Sequence, residues 1–119
     1  MTGVQTCALP ISPELTAWIA QQSDTLERVF PSETEREEVL ARLAKLTEEV
    51  GELADAVTGA QKRQRAEKSD KYDTETLAHE CADVIITTLL IAHKFNIDIP
   101  AALKHKIEKI DKQIGRAHV

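Results

Sequence analysis

The chain has 119 residues, enough for one domain and too few for two. Its formal charge of −5 speaks against a generic nucleic-acid binder, and its dominance by Ala, Leu, Glu, Lys and Ile, with only 3% aromatics, speaks against an all-β fold. Two cysteines make neither a disulfide scaffold nor a Cys-type zinc site. The longest apolar stretch, 81–92, is too short to span a bilayer and carries Asp83, and no basic segment of the signal-peptide kind opens the chain, so no membrane partner and a cytoplasmic location are expected.

The two ends read as foreign. Ile114-Gly115-Arg116-Ala117-His118-Val119 is what ATC GGA AGA GCA CAC GTC encodes, and the reverse complement, GACGTGTGCTCTTCCGAT, fits within codons for Gln5 to Ile11. One DNA stretch of the sequencing-adaptor kind, read from opposite strands, accounts for both. Residues 1–11 and 114–119 are therefore expected to be non-native tails rather than disordered native termini, and the domain to be residues 12–113.

Ser12-Pro13-Glu14 offers a cap and a proline at the first helical position, and Leu15, Trp18, Ile19, Leu26, Val29 and Phe30 give a rough apolar face up to Pro31. Ser32-Glu33-Thr34-Glu35 reads as the capping box of a second helix. In it Val39, Leu43, Leu46, Val50, Leu53 and Val57 are spaced 4, 3, 4, 3, 4, a seam of nearly three heptads, with the helix stopping near Gly59. Residues 61–73 are polar and read as a loop or a frayed helix end. Asp73 or Thr74 can cap a third helix, Glu75 to about Phe95, whose middle, Val84 to Ala92, is apolar almost all round. That predicts burial on most sides, although its β-branched residues leave a strand possible locally. Asn96 suits a left-handed stop. Asp98 caps a fourth helix with Pro100 in its first turn and Ala101, Ala102, Leu103, Ile107 and Ile110 on its inner face. The expected fold is all-α, a four-helix bundle. So much apolar surface on so small a chain predicts completion as a homodimer or homotetramer.

The chemistry sits in two acidic clusters, Glu48-Glu49-Val50-Gly51-Glu52 on the second helix and Glu80-Cys81-Ala82-Asp83 on the third. Glu49 with Glu52, and Glu80 with Asp83, are i, i+3 pairs about 60° apart on their helices, at roughly 100° per residue. Like charges so placed repel. A Glu-rich run on an amphipathic helix is most often a solvated face, and for 48–52 alone that reading has the advantage. Glu80 and Asp83 lie among apolar neighbours, where a carboxylate is costly unless paired, protonated or metal-bound. If the two helices pack antiparallel, four carboxylates surround one point. All-oxygen donors favour Mg²⁺, with Mn²⁺ a possible substitute, whereas Zn²⁺ prefers His or Cys.

Glu48-Glu49-Val50-Gly51-Glu52, then 27 residues, then Glu80-Cys81-Ala82-Asp83, resembles the EExxE…ExxD signature of the MazG-type all-α nucleotide pyrophosphohydrolases. The flanks 46–57 and 80–86 are similar to the family's two metal helices, and Asn96-Ile97-Asp98-Ile99 with Lys106-Ile107-Glu108-Lys109 resembles the segment that follows. The resemblance covers about residues 39–110. It implies Mg²⁺-dependent cleavage of a nucleoside triphosphate between its α and β phosphates, with Glu49, Glu52, Glu80 and Asp83 as metal ligands. It makes Glu48 and Glu49 the candidate catalytic residues, Glu48 either supporting the ligands or taking the proton of the attacking water. It also implies a subunit interface that builds the nucleotide pocket. The chain departs from the family at Ile110, where members often carry Asn, which weakens one polar substrate contact.

Lys106 and Lys109 are candidates for phosphate oxygens, against a solvated last turn answering the helix dipole. Trp18 is a candidate for stacking on a base, against an ordinary core tryptophan. His79 reads as a surface residue and Cys81 as a small buried hydrophobe. The leading expectation is a house-cleaning (d)NTP pyrophosphohydrolase. Its rivals are a phosphoribosyl-ATP-type pyrophosphohydrolase and a helical nucleotide-binding or interaction module without turnover.

Overall fold

The computed structural model describes residues 11–66 and 71–117, which form four α-helices: α1 (Pro13–Val29), α2 (Glu35–Ala66), α3 (Lys71–Lys94) and α4 (Ile99–Ala117). The described residues contain no strand, so the fold is all-α and the β-branched middle of α3 is helical. The expected loop 61–73 is helix at 61–66 and again at 71–73, while 67–70 lie outside the described residues. So do residues 1–10 and 118–119 of the adaptor-like tails. α4 runs on through Ile114, Gly115 and Arg116 to Ala117, inside the segment expected to be non-native.

Most helix ends follow local chemistry. The Ser12 hydroxyl accepts from the Leu15 N–H at 3.1 Å and the Asp98 carboxylate from the Ala101 N–H at 3.1 Å. Asn96 is left-handed at φ 56°, with Asn96 N–H bonded to His93 C=O and Ile97 N–H to Ala92 C=O, a Schellman closure. The start of α2 corrects the expected box. Thr34 caps it, not Ser32: the Glu37 N–H donates to Thr34 Oγ1 and the Thr34 N–H to Glu37 Oε1, each at 3.1 Å. Both tetrapeptides fit the motif, but starting at Glu35 puts Glu35, Glu37 and Glu38 in the first turn, where the helix dipole favours them. α2 also runs past Gly59. One glycine costs about 1 kcal/mol against alanine, too little to end a helix continued by Ala60, Gln61 and Lys62.

α3 packs along α2 and against α1, while α4 leaves α3 at 112° and rests only lightly on the other helices. Arg42 meets Leu90 and Glu49 meets Asp83, so α2 and α3 run antiparallel. The inward stripe of α2 is Val39, Arg42, Leu46, Glu49, Leu53 and Ala56. The expected seam is rotated from this: its alternate members Leu43, Val50 and Val57 remain 50%, 46% and 42% exposed, and two charged residues take the buried places. Arg42 can go inside because every direction finds an acceptor. Its guanidinium donates to Leu90 O at 2.9 Å, Ser23 Oγ at 3.0 Å and Glu38 Oε2 at 3.1 Å, tying α1, α2 and α3 together.

The core of the single chain is small: Ile19, Leu89 and Ala92, with Ser23 and Thr87 among them. α3 is not buried on most sides as expected: among the described residues α1 and α2 supply its main contacts, and Ile85 faces outward. Among the described residues no single helix is long and apolar enough to cross a membrane.

Candidate metal and substrate site

The antiparallel pairing of α2 and α3 lays one acidic pair over the other. Carboxylate oxygens of Glu49, Glu80 and Asp83 all lie within 4.8 Å of one another, and those of Glu48, Glu49 and Glu52 form a second such group sharing Glu49. Glu49 is buried, Glu80 and Asp83 are half-buried, and Glu48 and Glu52 face solvent. The Thr87 hydroxyl, one turn beyond Asp83, donates to the Asp83 carbonyl at 2.6 Å.

Burial, first of all, raises the Glu49 carboxyl above its ordinary 4.5, and Glu52 and Asp83 add repulsion while Lys45 opposes it. Glu80 is raised for the same leading reason, with Glu52 and Asp83 again adding repulsion. Among the side chains the structure describes, those of residues 11–62 and 74–115, no lysine or arginine forms an ion pair with Glu49, Glu52, Glu80 or Asp83. The acids at the other end of the bundle are treated differently: Lys94 pairs with Glu38 at 2.9 Å and Glu27 at 3.1 Å.

A buried carboxylate crowded by other carboxylates favours the approach of positive charge. The donors are all oxygen and no His or Cys belongs to the groups, so the residues present fit a hard divalent cation and not zinc.

The other candidates are placed as follows. Glu48 is exposed and accepts from Lys45 Nζ at 2.8 Å. Trp18, 41% exposed rather than core, lines a groove of about 500 Å³ that also contains Lys45 and Thr87. Lys106 and Lys109 are exposed on α4 and form no ion pair with the four carboxylates within this chain. His79 is exposed as expected, but Cys81 is exposed too, because the side of α3 it occupies carries no covering helix. Sequence reasoning missed Arg42 and Lys45. The signal for Arg42 was available: it stands seven residues before Glu49, in the same heptad position.

Helical pairs that converge acids in this way define an all-α pyrophosphohydrolase of the MazG-like fold. More narrowly, the chain belongs to the phosphoribosyl-ATP pyrophosphohydrolase family, whose model matches residues 13–112. No curated protein and no solved structure matches it.

Proposed function

We propose that the protein is a Mg²⁺-dependent nucleoside triphosphate pyrophosphohydrolase, turning (d)NTP and water into (d)NMP and diphosphate and clearing the cytosolic nucleotide pool. The observation that carries this reading is buried Glu49 within 4.8 Å of Glu80 and Asp83, with no ion pair to any of the three among the described side chains. Glu49, Glu52, Glu80 and Asp83 would hold the ion, with Mn²⁺ able to replace Mg²⁺. When bound, Mg²⁺ supplies charge neutralisation for the triphosphate and polarises the bond to be cut. The chain itself supplies placement and a proton acceptor. Glu49 orients the reacting end, and the exposed Glu48 carboxylate, in the group it shares with Glu49 and Glu52, takes a proton from the attacking water. Trp18 stacks on the base.

Assembly belongs to the same proposal. Leu40, Leu43, Val50 and Val57 form an exposed apolar row on α2, and Ile107 and Ile110 lie exposed on α4. A homodimer, or a pair of dimers, covers them. Lys106 and Lys109 are assigned to phosphate oxygens, which requires α4 to meet a carboxylate cluster in that assembly.

A second reading, phosphoribosyl-ATP as substrate, is favoured by the family match over residues 13–112. One panel separates the readings: pyrophosphate and orthophosphate are measured from unmodified and modified dNTPs, NTPs and phosphoribosyl-ATP in millimolar Mg²⁺. Pyrophosphate from a dNTP is expected. Pyrophosphate from phosphoribosyl-ATP alone selects the second reading, orthophosphate names a different bond, and no product leaves a binding module.

A further inference from the structure

The groove that holds Trp18 lies between α1 and the α2–α3 pair. Leu26, Phe30, Ile86 and Leu90 line it, and its volume of about 500 Å³ is within the range of small-molecule sites. Two of its lining residues lie one helical turn from the carboxylate cluster. Lys45, on one wall, is one helical turn before Glu49 on α2, and Thr87, on the other, is one turn after Asp83 on α3. Each step is about 6 Å along its helix.

Two cations line this groove, and they are not equivalent. Arg42 is buried, and its donors are taken by Leu90, Ser23 and Glu38. Lys45 is 58% exposed, and its ammonium donates to Glu48 at 2.8 Å. A surface pair of that kind is weak and exchanges partners readily. A nucleotide with its base between Trp18 and Phe30 and its phosphates toward the cation that Glu49, Glu52, Glu80 and Asp83 would hold would come close to Lys45, which lines the same groove.

We propose that the groove takes the base and sugar of the substrate, and that Lys45 is a positioning residue that leaves Glu48 to hold a substrate phosphate oxygen. This rests on the triphosphate reading given above. As the water oxygen bonds to the α-phosphorus, the bridging oxygen departs with pyrophosphate and the water proton goes to Glu48.

The test uses the full chain with Lys45→Met, Lys45→Arg and Trp18→Ala. Calorimetry measures Mg²⁺ alone, a non-hydrolysable α,β-methylene triphosphate with Mg²⁺, and the matching nucleoside without phosphates. Steady-state pyrophosphate release gives KM and kcat. Lys45→Met is expected to weaken the triphosphate about 10- to 100-fold, as for loss of a charged hydrogen bond, and to raise KM likewise. Nucleoside and Mg²⁺ affinity should hold within about twofold, and Lys45→Arg should recover most of the loss. Trp18→Ala should weaken nucleoside and triphosphate alike. Unchanged triphosphate affinity and KM in Lys45→Met, while wild type cleaves, overturns this inference alone. Wild type that takes up no triphosphate overturns the proposed function with it. A Trp18→Ala chain that turns from dimer to monomer shows a second copy in the groove, and that too overturns the inference.

Discussion

Arg42 and Glu49 stand seven residues apart on the same inward face of α2, both buried, and only Arg42 is neutralised by the protein. Arg42 has a serine hydroxyl, a backbone carbonyl and a carboxylate. Glu49 has Glu52, Glu80 and Asp83. A helix that satisfies one buried charge and crowds the next with like charge offers that second position to a cation.

The Arg42 clamp is a stability element. Arg42→Ala should lower stability by about 1–3 kcal/mol, because it removes a buried group bonded to Leu90, Ser23 and Glu38, while Lys94 still pairs with Glu38 and the Ser23 hydroxyl still donates to Glu27. Ser23→Ala should cost about 1 kcal/mol. The double variant should lose less than the sum, since the two share a bond. Urea unfolding followed by circular dichroism measures all three. Additive losses would show that the 3.0 Å contact is incidental.

The acidic cluster sets a pH dependence of known sign. Glu49 and Glu80 are raised above 4.5 in the folded chain, so the folded state binds protons more tightly than the unfolded one. Their contribution to stability is present below 4.5 and is lost as pH rises through the folded values. Glu27, lowered chiefly by its bond to Lys94, acts in the opposite sense and loses its contribution as pH falls. Bound Mg²⁺ offsets only the first effect. The melting-temperature difference with and without Mg²⁺ should therefore widen as pH rises from 4.5. A difference independent of pH would place the ion elsewhere.

The cap of α2 gives a sharp local comparison. Thr34→Ala should cost about 1 kcal/mol and Ser32→Ala less than about 0.5 kcal/mol. Thermal unfolding of the two single variants decides it. Equal losses would restore the box two residues earlier.

Where short-range chemistry decided, the sequence was legible. Ser12, Asn96 and Asp98 act within five residues of themselves, and the 4-and-3 spacing on α2 marks a helix without ambiguity. The i, i+3 acids needed only an antiparallel neighbour to meet. What was not legible depended on long-range partners. Arg42 finds acceptors 19 and 48 residues away, and that choice turns α2 so that Leu43, Val50 and Val57 look outward. Lys45 joins Trp18 in one groove only because α1 folds back across α2 and α3. Cys81 was read as buried from its apolar neighbours, but α3 has more apolar surface than one chain can cover.

The uncovered apolar residues make assembly testable. Sedimentation should find a dimer or larger species in the wild type, and Leu43→Lys should yield monomer with its helical circular dichroism retained. A monomeric wild type would leave these residues to a different partner.

The central claim is that carboxylates from α2 and α3 exist to hold a divalent cation. Isothermal titration of Mg²⁺ into the full chain near neutral pH tests it most directly, beside Glu49→Gln and Asp83→Asn. The account predicts saturable binding in the wild type, and a loss of at least about tenfold in each variant, equal to about 1.4 kcal/mol. Binding absent from the wild type, or unchanged in both variants, would contradict it.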